Sequence, residues 1–284
     1  MARKTTATAG RDVAARLAPF QIAAPTSGFD LTAFNPSEKP FSLGDKARDK
    51  AAVDALAVEL DALQNLFYAD HRHKLLVVLQ GLDTSGKDGT LRGVFGRMSP
   101  LGINTVGWQA PSPAERAHDF LWRIHQRVPA AGEIVVFNRS HYEDVLVPVV
   151  DGSIDAVETQ RRYAQINDFE RLLYESGTVV AKFMLHISKD EQRTRLQDRV
   201  DDPTKRWKFK RSDLDTRRQW DAYQAAYAAA IGATGTPWAP WTIVTADSKM
   251  HRNLMIATSL KYTLENLDLH YPEDDETLAG LQVE

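Results

Sequence analysis

Residues Lys74 to Thr90 read KLLVVLQGLDTSGKDGT. Leu75 to Leu79 form a short run of branched apolar residues, the pattern of a buried strand. From Gly81 to Gly86-Lys87 the spacing is G-x-x-x-x-G-K, that of a loop that cradles phosphate. Glycines let the backbone curl so that successive N–H groups face one concavity. The start of a helix adds partial positive charge there, and Lys87 adds a full one. The bare spacing is common, and a glycine-bearing surface turn is the plain alternative. The apolar run before it and the helical pattern after it favour a nucleotide or polyphosphate site. Its candidate contacts are Gly81, Ser85, Gly86, Lys87, Asp88, Gly89 and Thr90.

The loop departs from the usual pattern after Gly86-Lys87, where a magnesium-binding hydroxyl is expected and Asp88 stands. Asp83 places a second carboxylate inside the loop. A carboxylate there repels phosphate unless a divalent cation lies between them, so Asp83 is a candidate magnesium contact. A helix cap is the competing role for either aspartate, more so for Asp88.

At 284 residues and 43% hydrophobic content, the chain can bury a full core. A net charge of −3 argues against a general nucleic-acid binder. With no cysteine, disulfides, thiolate metal sites and cysteine nucleophiles are excluded, and nothing points to an oxidising compartment. No segment approaches the ~18–20 uninterrupted apolar residues of a membrane span, and no signal-peptide core opens the chain. A soluble cytoplasmic protein is expected.

Residues 1–41, rich in Ala and Thr with Pro19, Pro25, Pro36 and Pro40, predict a loose N-terminal arm. Residues 42–284 then form a single domain. Val53, Leu56, Leu60, Leu63 and Phe67 recur at helical spacing before the first strand. A strand is expected near Asn104 to Trp108, and Ser112-Pro113-Ala114-Glu115 opens a helix with a capping box whose buried face is Phe120, Leu121, Ile124 and Val128. Further strands follow at Glu133 to Phe137, Thr178 to Ile187 and Trp241 to Thr245. Helices are expected at about Val157 to Ser176, after the capping box Ser188 to Glu191, from Ser212 to about Ile231, and along Leu254 to Leu267. Strands alternating with helices imply a five-stranded, mostly parallel sheet covered on both faces: an α/β fold of the three-layer α/β/α P-loop kinase-like type.

Past the Glu133 to Phe137 strand comes Asn138-Arg139-Ser140-His141-Tyr142-Glu143-Asp144, at the sheet edge where open α/β folds bind ligands. The Arg139 guanidinium can grip two phosphate oxygens at once, or simply pair with Glu143 four residues on. Glu143 and Asp144 could hold magnesium, orient the acceptor, or balance Arg139. Arg195 and Arg199 lie one turn apart on a helix running into a basic segment. There Lys205, Arg206, Lys208, Lys210 and Arg211 crowd around Trp207 and Phe209. That segment reads as a lid, at about residues 195–230, over a phosphate chain. Single-stranded nucleic acid or a solvated charge run are the other readings. Together with the loop and Arg139, a site for several phosphates fits best. An ionised phosphate acceptor needs no general base.

Three segments resemble the polyphosphate kinase 2 family: GLDTSGKDG at Gly81 to Gly89, FNRSHYEDVL at Phe137 to Leu146 and DRVDDPTKRWKF at Asp198 to Phe209. The likeness spans about Leu43 to Leu269. It implies a kinase that moves the terminal phosphate between inorganic polyphosphate and a nucleotide, with magnesium (or manganese), usually toward nucleotide synthesis. By position, Asp83 would bind metal, Lys87 would hold the transferred phosphates, Arg139 would stabilise them, and Arg199, Lys205 and Lys208 would line the lid. Members restricted to nucleoside diphosphates tend to carry Asp where this chain has Asn138, so the chain looks like the class III branch that takes AMP and ADP and yields ATP. A neutral amide tolerates a phosphate that a carboxylate repels. A homo-oligomer, dimer or tetramer, is implied as well. The alternatives are an ATP-dependent nucleotide kinase and a nucleic-acid-binding P-loop protein.

Overall fold

In the computed structural model, which describes residues 2–273 and 281–283, the apolar run of the opening stretch is the central strand of a six-stranded sheet. The strands are β1 (Gln21–Ile22), β2 (Lys74–Gln80), β3 (Ile103–Gly107), β4 (Ile134–Asn138), β5 (Thr178–His186) and β6 (Trp241–Thr245). Their order is β1-β6-β5-β2-β4-β3, with β1 antiparallel to β6 and every other pair parallel. β2 is buried from Leu75 onward because helices cover both of its faces, and so it shows no polar alternation.

The helices are α1 (Ala2–Leu17), α2 (Lys46–Asp70), α3 (Lys87–Thr90), α4 (Pro113–Arg116), α5 (Trp122–His125), α6 (Glu143–Val150), α7 (Ala156–Glu175), α8 (Lys189–Asp201), α9 (Ser212–Arg218), α10 (Trp220–Thr234) and α11 (Lys249–Glu265). α2 and α11 pack together on one side of the sheet, whereas α6, α7 and α10 pack together on the other, giving three layers around one core. Polar caps set the starts: Asp45 accepts from Ala47 and Arg48 N–H, Asp155 from Glu158, and Ser248 from His251. No helix among the described residues is long and apolar enough to cross a membrane.

The sheet has six strands, not five, because the arm supplies β1. Gln21 pairs with Thr242 and Ile22 with Trp241, and Leu17, Phe20, Leu31 and Phe41 are buried in the common core. The Phe41 N–H also donates to His251 Nε2 at 3.1 Å. The arm is therefore not loose. Val13, Leu17 and Phe20 stand at helical spacing along and just past α1 and face the core, whereas Leu31 and Phe41 follow no period and are placed by the path the arm takes over the domain.

The expected helix after Ser112 is two single turns, α4 and α5, although the capping box forms with both bonds present. At Ser188 only half of a box forms: the Ser188 hydroxyl caps Glu191 N–H, but the Glu191 carboxylate turns to Arg195 at 2.6 Å. The Ser212 helix breaks at Gln219 into α9 and α10. Of the stretch 195–230, α10 packs in the core through Ala226, Tyr227, Ala230 and Ile231. The C-terminal half of α8, the basic turn and the start of α9 line the cavity beside the loop.

Candidate active site

Leu79 of β2 pairs with Asn138 of β4, so the Gly81 loop and the Arg139 turn leave neighbouring strands at the same level. The loop needs glycine at two positions. At Gly81 (φ 147°) a Cβ would fall 2.6 Å from the Leu185 carbonyl, and at Gly86 (φ 108°) it would fall 1.7 Å from an Arg252 nitrogen. Thr84 (φ 66°) and Arg139 (φ 65°) also adopt the left-handed region, a strained backbone for non-glycine residues of the kind found at ligand sites.

Lys87 is buried, and its ammonium folds back on the Gly81 carbonyl and onto the Leu82 carbonyl at 3.3 Å. Burial, reinforced by the nearby Arg139 cation, pulls it down to about 8. Arg139 donates to Asp83 Oδ1 at 2.9 Å and lies 3.6 Å from Glu143. Burial pushes the Glu143 carboxyl above its ordinary value against the pull of Arg139 and Lys87. For Asp88 the balance is opposite. Burial alone would raise it, but the hydrogen bond from Asn138 (2.9 Å) and the Lys208 ammonium (3.7 Å) hold it below the usual carboxylate range. Asp88 thus ties the loop to the β4 end and to the basic turn, the role left open by its replacing a hydroxyl.

These groups surround a cavity of about 500 Å³ lined by nine Lys or Arg and four Asp side chains, with Trp108 and Trp207 in its walls. A second cavity of about 220 Å³ meets it at Asp83, Arg139, Lys210 and Asp213 and runs on to Gly81, Glu143, Tyr223 and Tyr227. Two neighbouring cavities therefore share the Asp83–Arg139 pair as part of a common wall. So many cations around so few carboxylates suit a chain of phosphates.

The main cavity brings together Asp83, Gly86, Lys87, Asp88, Gly89, Asn138, Arg139, Arg199, Lys205 and Lys208, and the smaller one adds Gly81 and Glu143. Ser85 and Thr90 are buried beneath, their hydroxyls without partners. Three candidates are placed otherwise. Arg195 reaches the cavity wall, but all five of its donors are occupied, by Glu191 and by the carbonyls of Thr84, Ser85, Ala246 and Asp247, so it braces the loop from behind. Arg206 turns away to the Val200 carbonyl at 2.7 Å. Asp144 faces Arg123 at 3.5 Å in a separate cleft between α5 and α7.

The turn carrying Arg139 and Glu143 rests on a buried network. The Lys182 ammonium of β5 bonds Glu170 (2.6 Å), the Tyr142 hydroxyl (2.8 Å) and the Thr234 carbonyl (2.8 Å). Glu170 also accepts from Tyr142 at 2.9 Å and lies 3.3 Å from His141. The Glu170 carboxyl, which its burial would raise, is held below its ordinary value chiefly by Lys182.

A family model for polyphosphate kinase 2 (PPK2) matches residues 44–272. The chain belongs to the polyphosphate kinase 2 family. An AMP/ADP-polyphosphate phosphotransferase of Meiothermus ruber is 47% identical over 263 residues, covering 92% of this chain and 97% of the relative. An ADP-polyphosphate phosphotransferase of Rhodopseudomonas palustris is 40% identical over 226 residues, 75% of this chain and 78% of the relative. The crystal structure of polyphosphate kinase 2 from Arthrobacter aurescens TC1 matches with a TM-score of 0.85 at 44% identity, covering 89% of this chain and 93% of that one.

In this polyphosphate kinase 2 chain, several residues at the site carry no local motif. Arg92 lines the cavity one helical turn after Asp88, a spacing that was there to be read. Lys249, which lines the cavity, and Arg252, behind the loop, come from α11, some 160 residues on. Tertiary packing brings them there: β6 lies two strands from β2, and the helix after it crosses back against α2 and α3.

Proposed function

We propose that this protein transfers the terminal phosphoryl group of inorganic polyphosphate to AMP or ADP. The observation that carries the reading is the pair of neighbouring cavities that share Asp83 and Arg139 beside Lys87, a placement that suits two phosphate chains meeting end to end. The polyphosphate lies along Arg199, Lys205, Lys208 and Lys210, where a lone triphosphate would leave much of the positive charge unmatched. Lys87 leaves the Gly81 carbonyl for the transferred group, while Arg139 grips its oxygens. The acceptor oxygen arrives already ionised, so the residues have only to align the two chains and neutralise charge. The neutral Asn138 amide, which donates to Asp88, adds no negative charge beside the loop, in keeping with both mono- and diphosphate acceptors.

Asp83 and Glu143 fit a magnesium ion. They are hard oxygen donors flanking one guanidinium, the ligand type magnesium prefers, and they would hold the ion together with phosphate oxygens and water. Bound there, magnesium, or manganese in its place, would neutralise charge on the phosphate oxygens. The reading extends to ADP and ATP as products, to a homo-oligomer (dimer or tetramer) and to action in the cytoplasm, where nucleotides are held.

Purified protein given AMP, magnesium and polyphosphate forms ADP and ATP, and ATP in place of polyphosphate as donor supports far slower turnover. Equal turnover with ATP, or no product with polyphosphate, sinks the reading.

A further inference from the structure

Arg252 on α11 is 3% exposed. Its guanidinium sits directly behind the loop, so that a Cβ on Gly86 would lie 1.7 Å from Nη1 and one on Gly89 would lie 2.8 Å from Nη2. Every acceptor it meets is neutral: the Ser85 carbonyl at 3.4 Å from Nη1, and Asn253 Oδ1 at 3.1 Å from Nε and 2.9 Å from Nη2. Its buried neighbour Arg195 has Glu191 as counter-charge, whereas no carboxylate among the described residues pairs with Arg252. A buried cation without a partner is unfavourable, because no counter-charge makes up for the hydration it has lost. Burial, together with the Arg195 cation, pulls this guanidinium down to about 9. An unmatched charge of this kind next to an anion site calls for a reason.

We infer that Arg252 is a positioning residue for the phosphate chain, its counter-ion being the polyanion bound on the far side of Gly86 and Gly89. The inference rests on the phosphate-site reading given above. Two contributions follow from the geometry. Arg252 holds the Ser85 carbonyl from behind, and in a planar trans peptide the Gly86 N–H then points the opposite way, toward the cavity that Gly86 lines. Its charge also acts across one layer of glycine backbone with little water between, where screening is weak. The missing side chains at Gly86 and Gly89 make that approach possible.

The test uses Arg252→Met, which removes the charge at similar length, and Arg252→Lys, which keeps the charge without the fork. Melting temperature is read with and without tripolyphosphate, and KM is read for polyphosphate and for AMP. Arg252→Met melts no lower than wild type without ligand and loses most of the tripolyphosphate-induced rise. Its KM for polyphosphate increases by about tenfold or more while that for AMP stays within about threefold, the pattern of one lost charge contact on the donor side. Arg252→Lys keeps the ligand-induced rise. Wild-type tripolyphosphate response in Arg252→Met overturns the inference, and so does equal loss in both variants, which would mark a hydrogen-bonding role alone. Should Arg252→Met not fold, Arg252→Lys decides: a retained rise supports the inference and a lost rise overturns it. If wild type itself shows no response to tripolyphosphate, the phosphate-site reading fails instead.

Discussion

Lys87 is restrained before any anion arrives, its ammonium lying against the Gly81 and Leu82 carbonyls in a buried pocket. In the ligand-free protein it gives up its proton as pH rises through about 8, against an ordinary value of 10.5. kcat/KM reports the free enzyme, so kcat/KM for polyphosphate is predicted to fall as pH rises above about 8. A profile flat to pH 10 would contradict this. The same shift acts on stability with the opposite sign. Between about 8 and 10.5 the unfolded chain binds more protons at this lysine than the folded one, so its contribution to stability improves as pH rises. Arg139, held at φ 65° between Asp83 and Glu143, is the second decisive side chain. Lys87→Met and Arg139→Ala are each expected to lower turnover by about 10³-fold or more in protein with an unchanged circular dichroism spectrum, the scale on which cations stabilise phosphoryl transfer. Near-normal turnover in either removes that residue from the site.

At the scale of elements, the site is two loops hung from adjacent strand ends, and the turn from β4 into α6 is held by Lys182, Glu170 and Tyr142. This network ties β5, α6, α7 and the end of α10 together. Removing one member strands a buried charge. Lys182→Met is predicted to cost about 3–5 kcal/mol in denaturant unfolding, and Lys182→Met with Glu170→Leu to recover part of that loss. A Lys182→Met protein as stable as wild type would show that the pair is not holding the turn. The network was hidden in the sequence. Lys182 stands inside an apolar strand and Glu170 on the helix before it, and their meeting depends on how α7 lies on β5. The loop and the FNRSHYED turn were legible because the spacing of their glycines and charges is itself the chemistry. The lid was legible in part: composition singled out Lys205, Lys208 and Arg206 alike, but only Lys205 and Lys208 reach the cavity, a matter of side-chain direction in a single turn.

For the whole molecule, alternating apolar runs and amphipathic stretches sufficed to read a mostly parallel sheet between two helical layers, and β2 to β6 lie within a residue or two of where those runs end. The arm was misread because its buried residues follow a path set by the finished surface. Val13, Leu17 and Phe20 carry a short helical period cut off by Pro19, and Leu31 and Phe41 carry none, yet Leu17, Phe20, Leu31 and Phe41 are all buried. At about 1.5–3 kcal/mol for each such side chain, they contribute an amount comparable with the net stability of a domain, about 5–15 kcal/mol. Deleting residues 2–41 is therefore predicted to lower the melting temperature sharply or to leave the protein insoluble, and a truncated protein melting like the full chain would contradict the arm's place in the core.

The central claim is that the loop is where a polyphosphate chain and a nucleotide meet. Its most direct test is a crystal structure with ADP and a short, non-transferable polyphosphate bound together. The account predicts polyphosphate along Lys205 and Lys208, and terminal phosphates of the two ligands facing each other beside Lys87 and Arg139. Nucleotide phosphates lying along the basic turn, with no polyphosphate at the loop, would contradict it.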